Sequence, residues 1–381
     1  MITPILSSAT TKRNNIHKQA VMGLDDLFPI EEGGLHIDVT QIQVVSKNFT
    51  LNGVKQAILQ GKTLSEPVYG KLVVKKNGKT ILTKDKFLLM RLPYLTDQHS
   101  FIVDGNSYQV GNQLRTKPGI YARLRRNDVP EVSFNLAKGA NFKITMNPET
   151  LVFNMEYGAS KTLLYPVIHA LGFPDLDLKR MWGIKVLNSN KSNNPSMSEK
   201  AVNKLFERLV PISKRSEDSS LKGKSTQIRD YFQNTILNAD TTKATMGIGF
   251  RNVNGLALAA AAKKLLDITN KNEEVDDRDS LEFQTINSID DFVREKINKG
   301  GREVVNKIKF RVKNITSESD FDKVIPTAPF SKSIKSLITQ FTLSRTPDQI
   351  NPMEILDGAM KVTRMGEGGI SSTRAVPDET R

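Results

Sequence analysis

The chain contains no cysteine. That absence removes disulfide frameworks, thiolate nucleophiles and cysteine-ligated zinc or iron–sulfur centres, and it fits an intracellular setting. Histidine is scarce: His17, His36, His99 and His169 are the four present, and none stands at metal-ligand spacing from another, so each reads as structural or surface. No apolar run approaches the roughly 20 residues that cross a bilayer, which speaks against a membrane role. The opening stretch MITPILSSATTKRNN lacks the long apolar core and small-residue cleavage site of a secretory signal, and residues 1–20 are expected to be a flexible start. There is no phosphate-binding loop. The glycine-dense segment Gly366 to Gly369 is not followed by the Lys-Ser/Thr pair that would reach a phosphate and magnesium.

What is present is basic charge. The 55 lysines and arginines against 41 acidic residues leave a formal charge of +14 and a sequence pI near 9.6, a balance that favours a polyanionic partner. The cations gather at Lys71 to Lys86, at Arg115 to Arg126 and at Lys296 to Lys313, and again between Lys179 and Arg229. Any one run is ordinary decoration of a solvated face; the global excess is the better evidence. With 381 residues, 38% of them hydrophobic and 25% charged, the chain is long enough for two or three domains that each bury a core.

Strand signals fill the first 155 residues. KLVVKKNGKTILT, Lys71 to Thr83, places Asn77-Gly78 between two β-rich halves, and a type I′ turn needs the positive φ that this pair supplies. Asp104-Gly105 predicts a second hairpin over Phe101 to Val110, and Phe142 to Met155 alternates around Asn147-Pro148. Beyond them the period lengthens towards 3.6, which predicts helices over Lys161–Leu171, Ser198–Leu209, Leu256–Ile268, Ile289–Ile297 and Arg302–Lys309. Ser196 with Glu199 and Ser288 with Asp291 have capping-box spacing, and Asn254 is a cap for the alanine-rich helix. Asn188 to Pro195 and Ser213 to Ser225 read as polar loops. Strands first, helices next and a mixed tail predict an α+β fold.

One acidic cluster invites a catalytic reading. Asp276, Asp277 and Asp279, interrupted by Arg278, could hold Mg²⁺ for phosphoryl transfer. The alternative is a structural turn, because Arg278 offsets the charge and Ser288 opens a helix soon after.

Three ordered segments carry a family resemblance. RLPYLTDQHSFIVDGNSYQVGNQLRTKPGIY (Arg91 to Tyr121), VDDRDSLEFQTINSIDDFV (Val275 to Val293), and the set Gln340-Phe341, Asn351-Pro352 and GEGGISSTRA (Gly366 to Ala375) resemble, in order and separation, the N-terminal half of multisubunit RNA polymerase β subunits. The resemblance implies a multidomain chain: a flexible N-terminus at 1–20, a protrusion over 21–119 and 273–335 that is discontinuous around a lobe at 120–272, and the start of the fork with the rifampicin-pocket region at 336–381. It implies that Gln340, Phe341, Asn351, Lys361, Gly366, Gly368, Gly369, Arg374 and Arg115 line or support the nucleic-acid channel and fork. It also implies that this chain holds no catalytic residue or metal. The Mg²⁺ ions of nucleotidyl transfer would sit on a partner subunit, so the chain would not be active alone. Implied partners are a C-terminal β-like chain, β′-like chains, a promoter-specificity subunit, template DNA and the RNA transcript, with no membrane.

The departures are informative. Ser280 and Glu282 stand where the family has His and Gly. Glu156, Tyr157 and Gly158 replace a basic triplet. Phe341 and Asn351 are more widely spaced than in the family, which places a short insertion around Leu343 to Gln349. Gly358, Lys361 and Thr363 stand where the drug-facing side has His, Arg and Ser, and Ser372 replaces an arginine. Lysine lacks a planar guanidinium's paired donors, so weak or absent rifampicin inhibition is expected. Bacterial β subunits are much longer than this sequence, which is therefore a cut piece or one of two split β chains. The divergent character resembles the split polymerases of large bacteriophages, implying the host cytoplasm, with virion packaging left open. The rival readings are a non-catalytic basic nucleic-acid-binding or scaffold protein, and a phosphoryl-transfer enzyme built on Asp276 to Asp279.

Overall fold

A computed structural model describes residues 7–32, 34–125, 128–191, 195–210, 220–313, 327–347 and 351–369. Its helices and mostly antiparallel sheets make an α+β fold, divided into two units. The first comprises residues up to Arg115 and from Thr285 onward, the second Thr116 to Gln284.

Helix α1 (Ala9–Asp25) opens the first unit. Ser8 caps it by accepting from the Thr11 amide at 3.2 Å, and Ile16, Ala20 and Leu24, four residues apart, are buried. The expected flexible start is therefore corrected from Ala9 onward: one apolar residue per turn is a thin signal, but it is enough to dock the helix. Strands β1 (Ile30–Glu32) and β2 (Leu35–Val44) are followed by α2 (Leu51–Leu59). Then come β3 (Ser65–Lys76) and β4 (Lys79–Pro93), which complete an antiparallel sheet in the order β1-β2-β3-β4. Asn77 and Gly78 have φ of 51° and 80°, and the hairpin forms where the sequence predicts it. So does the next, β5 (Phe101–Val103) with β6 (Asn106–Val110), turning at Asp104 and Gly105. Gly105 is required twice over, by its φ of 78° and because a Cβ there would stand 2.8 Å from the Gly61 backbone. Strand β7 (Asn112–Thr116) closes this segment.

The second unit is built on a five-stranded antiparallel sheet, β12-β11-β10-β9-β8, formed by β8 (Gly119–Leu124), β9 (Pro130–Asn135), β10 (Phe142–Met146), β11 (Phe153–Tyr157) and β12 (Ser160–Leu163). Its helices are α3 (Leu164–Ala170), α4 (Asp175–Trp182), α5 (Ile184–Asn190), α6 (Pro195–Leu209), α7 (Leu221–Gln233), α8 (Ala239–Met246) and α9 (Gly255–Thr269). Asn254 caps α9 by accepting from Ala257 N at 2.8 Å, and buried Ala257, Ala259 and Ala261 bring α9 close to the sheet, where Trp182 Nε1 donates to Ala259 O.

Several expectations shift. The helix predicted from Lys161 begins only after β12. Helix α6 starts at Pro195, so Ser196 lies inside it. The loop predicted from Asn188 begins after α5, whose buried Asn190 accepts from Phe153 N and donates to Leu151 O and Val186 O. Ser220 caps α7 through Gly223 N, so the predicted loop to Ser225 ends earlier; its residues 213–219 lie outside the described residues. Residues 276–283, expected in the second part of the protrusion, pack within the second unit. Asp276 accepts from Ala122 N at 2.6 Å, Lys117 N donates to Phe283 O, and Phe283 meets Tyr121 edge-on.

The chain then returns to the first unit through β13 (Gln284–Asn287), α10 (Ile289–Lys313), α11 (Ser331–Thr339), β14 (Ser344–Arg345), α12 (Pro352–Met360) and β15 (Val362–Thr363). Two predicted helices, Ile289–Ile297 and Arg302–Lys309, are one. Gly300 and Gly301 do not break α10, because they are sites of close approach: a Cβ on Gly300 would stand 2.9 Å from Ser333 Oγ, and one on Gly301 would strike Leu27. Strand β14 adds to β6 antiparallel and β15 to β7 in parallel. The segment from 336 onward is thus built into the first unit's sheets rather than standing apart. Phe292, Val293, Ile297, Phe330, Ile334 and Leu337 share one core with Ile16, Leu24, Ile37 and Leu89.

Candidate nucleic-acid interface

The strands β6 and β7 carry buried amides where alternation would put apolar residues. Gln109, Asn112 and Gln113 are fully or almost fully buried, and each uses its side-chain N–H on a carbonyl of the C-terminal segment. Gln109 donates to Ile355 O at 2.9 Å, Asn112 to Ala359 O at 3.1 Å and Lys361 O at 3.3 Å, and Gln113 to Met365 O at 2.8 Å. Ala359 O is among the last carbonyls of α12, which lack intrahelical partners, so the buried Asn112 amide that satisfies it helps fix where the helix ends. Backbone bonds run alongside: Gly111 N donates to Leu343 O at 3.0 Å and Asn112 N to Lys361 O at 2.9 Å.

Arg115 completes the arrangement. Its Nη1 donates to Glu295 at 2.8 Å, Nη2 to the Glu367 carbonyl at 2.8 Å and Nε to Gln113 Oε1 at 2.5 Å, while the guanidinium lies 5.4 Å from the Phe292 ring centroid. The turn it holds contains Gly366 and Gly368, with φ of 109° and 83°, closed by Gly369 N donating to Gly366 O at 3.1 Å. A Cβ on Gly368 would stand 2.8 Å from Arg115 Cζ, and one on Gly366 3.1 Å from Gln113 Nε2, so glycine is needed for conformation and for space. Lys299 pairs with Glu367, and that hydrogen bond draws the Glu367 carboxyl below its usual range against a smaller opposing effect of burial.

The remaining candidates are distributed around this turn. Gln340 follows α11, its amide donating to Ser336 O at 3.0 Å and its side chain exposed. Phe341 packs half-buried on Phe292, ring centroids 5.1 Å apart. Asn351 caps α12 by accepting from Met353 N at 3.0 Å, and Lys361 ends that helix with an exposed side chain. Nine residues of helix lie between those two, a rise of about 15 Å, so they do not form one contact point. Arg374, with Ser372, lies outside the described residues. The structure therefore sets Arg115 against Glu367 and Gly368, with Gly366 and Gly369 of the same turn against Gln113, joins Phe341 to Arg115 through Phe292, and leaves Gln340, Asn351 and Lys361 as separate exposed points.

The partners that matter most were not singled out from the sequence: Gln109, Asn112, Gln113, Phe292, Glu295 and Arg345. The run QVGNQLR, three amides across the β6–β7 junction, is the one local signal. Arg345 sits on β14, at the expected insertion, and its guanidinium occupies, beside Gln109 Oε1, the space that any side chain at Gly358 would need.

Ahead of α10, Ser288 N donates to Asp291 Oδ2 at 3.1 Å, one arm of the expected capping box. Burial raises the Asp291 carboxyl, with the charges of Asp290 and Glu295 adding to it, against the Ser288 amide and Arg115.

The acidic turn is committed to structure. Asp276 accepts from Lys264 Nζ at 2.7 Å as well as from Ala122 N, and Asp277 Oδ1 accepts from Asp279 N at 2.9 Å and Ser280 N at 3.2 Å, an Asx turn. Among the described residues no group of three or more His, Asp and Glu side chains is arranged to hold a metal ion, and no helix is long and apolar enough to cross a membrane.

What the geometry defines is a basic two-unit α+β chain in which buried amides and one arginine hold a glycine turn in place. No family model matches the sequence. It does resemble the β subunit of DNA-directed RNA polymerase along almost its whole length. It is 23% identical over 394 aligned positions to the DNA-directed RNA polymerase subunit beta of Thermus thermophilus, covering 96% of this chain and 34% of that protein. It is 23% identical to that of Cyanidium caldarium, covering 90% and 33%, and 26% identical to that of Chlorella vulgaris, covering 83% and 28%. The chain spans about a third of the length of the curated relatives it matches.

Proposed function

We propose that this chain is the N-terminal β-like subunit of a multisubunit DNA-directed RNA polymerase, forming one wall of the DNA/RNA channel and part of the fork near the active centre. The observation that carries the reading is the clamp of Arg115 on the Gly366 to Gly369 turn, which joins two of the three segments from which the resemblance was read. In this reading the first unit is the protrusion with the start of the fork, and the second is the lobe. Gln340 and Lys361 present exposed polar side chains towards nucleic acid, Asn351 fixes the start of α12, and Phe341, next to Gln340, packs on Phe292.

The reaction served is nucleotidyl transfer, in which the RNA 3′ hydroxyl attacks the α-phosphate of a nucleoside triphosphate. The Mg²⁺ ions that stabilise the attacking and leaving oxygens belong to another subunit. This chain's clustered aspartates do not suit them, since Asp276 is neutralised by Lys264 and Asp277 caps its own turn. What the chain supplies is position: a rigid, basic surface that orients template and transcript. The β′-like chains would be separate polypeptides acting with it, as in the polymerases of large bacteriophages, in the host cytoplasm. The drug-facing side differs from that of rifampicin-sensitive relatives, because Gly358 offers no side chain and Arg345 fills the space beside it.

The second reading, a basic nucleic-acid-binding or scaffold protein, is favoured by the charge of +14 alone. Affinity purification of the tagged chain from its native source, with the co-purifying polypeptides identified by mass, separates the two. Companions with the rest of β and the β′ aspartate motif are expected. A chain that emerges alone, monodisperse and able to bind DNA would overturn the polymerase reading.

A further inference from the structure

Helix α2 of the first unit turns apolar side chains outward in a regular order. Leu51 and Leu59 are 66% and 86% exposed and Ile58 is 37% exposed, while Ala57 is buried. Leu51, Lys55, Ile58 and Leu59 stand at i, i+4, i+7 and i+8, which is one face of a helix. Val54 and Ala57 belong to the other face and pack in a small cluster with Leu64, Tyr94 and Ile102.

The helix is fixed at both ends. Thr50 caps it by accepting from Gly53 N at 3.2 Å, and just before the cap Lys47 N donates at 2.9 Å to the buried carboxylate of Glu66. After the last turn Lys62 N donates to Ala57 O at 2.8 Å and Gly105 N to Lys62 O at 3.1 Å, and a Cβ on Gly105 would stand 2.9 Å from Ile58 O. Nine residues are too few for a helix to persist alone in water, where about 12–15 are needed, so the surrounding fold holds this apolar face in place. A face held ready in this way loses little ordering entropy when it is covered.

Its charge selects the occupant. Between Asp38 and Glu66 the sequence has no acidic residue, and Lys47, Lys55 and Lys62 are all exposed, Lys55 within the apolar stripe itself. Asp104, the acid next to Gly105, accepts from Thr63 and pairs with Lys335. A second copy docked face to face would bring the same lysines together, which disfavours self-association. Leucine and isoleucine at helical spacing offer ridges to another helix, and a carboxylate opposite Lys55 completes the match.

We propose that α2 is a docking surface for an acidic amphipathic helix of another polypeptide, whose apolar stripe covers Leu51, Ile58 and Leu59 and whose carboxylates meet Lys55 and its neighbours. The proposal goes beyond the polymerase reading and does not depend on it.

The test uses the full chain in the complex purified from its native source. A photoreactive benzophenone amino acid replaces Leu59, and the cross-linked peptides are identified by mass; the same group at Lys75, on the β3–β4 hairpin, is the control. The expected product joins position 59 to a segment of a different polypeptide that carries apolar residues at helical spacing with Asp or Glu beside them, and the control does not form it. Leu51→Ser with Leu59→Ser is expected to lower the amount of that polypeptide per complex at least ~10-fold, because two large apolar contacts are lost. Lys55→Glu should lower it ~3-fold or more at low salt and less at high salt, whereas Lys75→Glu should leave it within about twofold. Both leucines are exposed, so the urea midpoint of the double variant is expected to match the parent's; Lys55→Glu, which removes no packing, reads the same surface should that midpoint fall. A cross-link to a second copy, to the chain itself or to nucleic acid would overturn the proposal. So would a chain that purifies with nothing cross-linked at position 59, or a polypeptide retained undiminished by both α2 variants. Companions with the β′ aspartate motif report on the polymerase reading and the cross-link at position 59 reports on α2, so the two fail separately.

Discussion

Arg115 Nη2 donates to the main-chain carbonyl of Glu367 at 2.8 Å across 252 positions of sequence, and through this bond one strand end sets the path of the glycine turn. Because Nε and Nη1 are also engaged, on Gln113 and Glu295, the side chain acts as a three-way fork that an ammonium cannot imitate. Replacing Arg115 by Ala is expected to destabilise the first unit by about 2–4 kcal/mol, and Lys should recover less than half of that, given roughly 1.5–3 kcal/mol for a hydrogen bond to a charged group. Urea denaturation gives the stability. Limited proteolysis at residues 364–369 gives the turn's order. An Arg115→Lys protein as stable and as resistant as the parent would refute the fork.

Gly368→Ala probes the same turn from the other side. Its φ of 83° is strained for any L side chain, and the new Cβ would press on Arg115 Cζ. The expected cost is ~1–3 kcal/mol of stability, and it should shrink when Arg115 is already Ala. The double-mutant cycle decides: strict additivity would show that the two positions do not interact.

How much of this was legible beforehand follows from how local the determining physics is. Asn77-Gly78 and Asp104-Gly105 announce their turns because positive φ is a property of those residues, and Asn254 announces α9 because a cap needs only the next three amides. The continuity of α10 through Gly300-Gly301 was illegible, since what the glycines are for is Ser333 and Leu27 on other elements. Arg115 was picked out by its motif, but its partners lie 180 and 252 positions away and leave no trace in local pattern. The amides in QVGNQLR were readable as an anomaly, though not as the clamp on α12.

Glu131 makes the second unit sensitive to acid. Burial alone would push its carboxyl up. Hydrogen bonds from Arg125 and Arg123, the charge of Arg123 and a hydrogen bond from Lys143 overcome that and bring it down to about 2. A depressed carboxyl contributes stability that is fully present above its unfolded value near 4.5 and lost as pH falls through about 2. The drop across that window is about 3 kcal/mol at 1.36 kcal/mol per pH unit. Denaturation midpoints measured from pH 5 to pH 2 should fall steeply in the parent protein and much less in Glu131→Gln, which starts lower. Parallel curves for the two would contradict this account.

Lys264 and Asp276 form a nearly buried pair, with side chains 8% and 11% exposed. Removing one member strands the other charge, so Lys264→Met is expected to cost about 3–5 kcal/mol, whereas the double variant Lys264→Met with Asp276→Leu should recover part of it. The acidic turn would then behave as a joint. Asp277→Asn and Asp279→Asn should lower stability or assembly modestly and leave the chemistry of an assembled polymerase intact. Abolished catalysis in a folded, fully assembled complex would revive the phosphoryl-transfer alternative.

In the proposed polymerase reading, the assembled enzyme is expected to transcribe at rifampicin concentrations that stop a bacterial polymerase. The reason lies at Gly358, where Arg345 and Gln109 Oε1 already occupy the volume that a side chain would need. Restoring the family's residues by Gly358→His with Lys361→Arg should therefore fail to confer sensitivity while Arg345 remains, because the imidazole is displaced from the wall. Adding Arg345→Ala should open the space and shift the inhibition curve towards lower drug. Run-off transcription across a rifampicin titration measures all three proteins. Inhibition of the unmodified enzyme at bacterial concentrations would show that the drug makes its contacts without a side chain at 358, and the volume argument would fall with it.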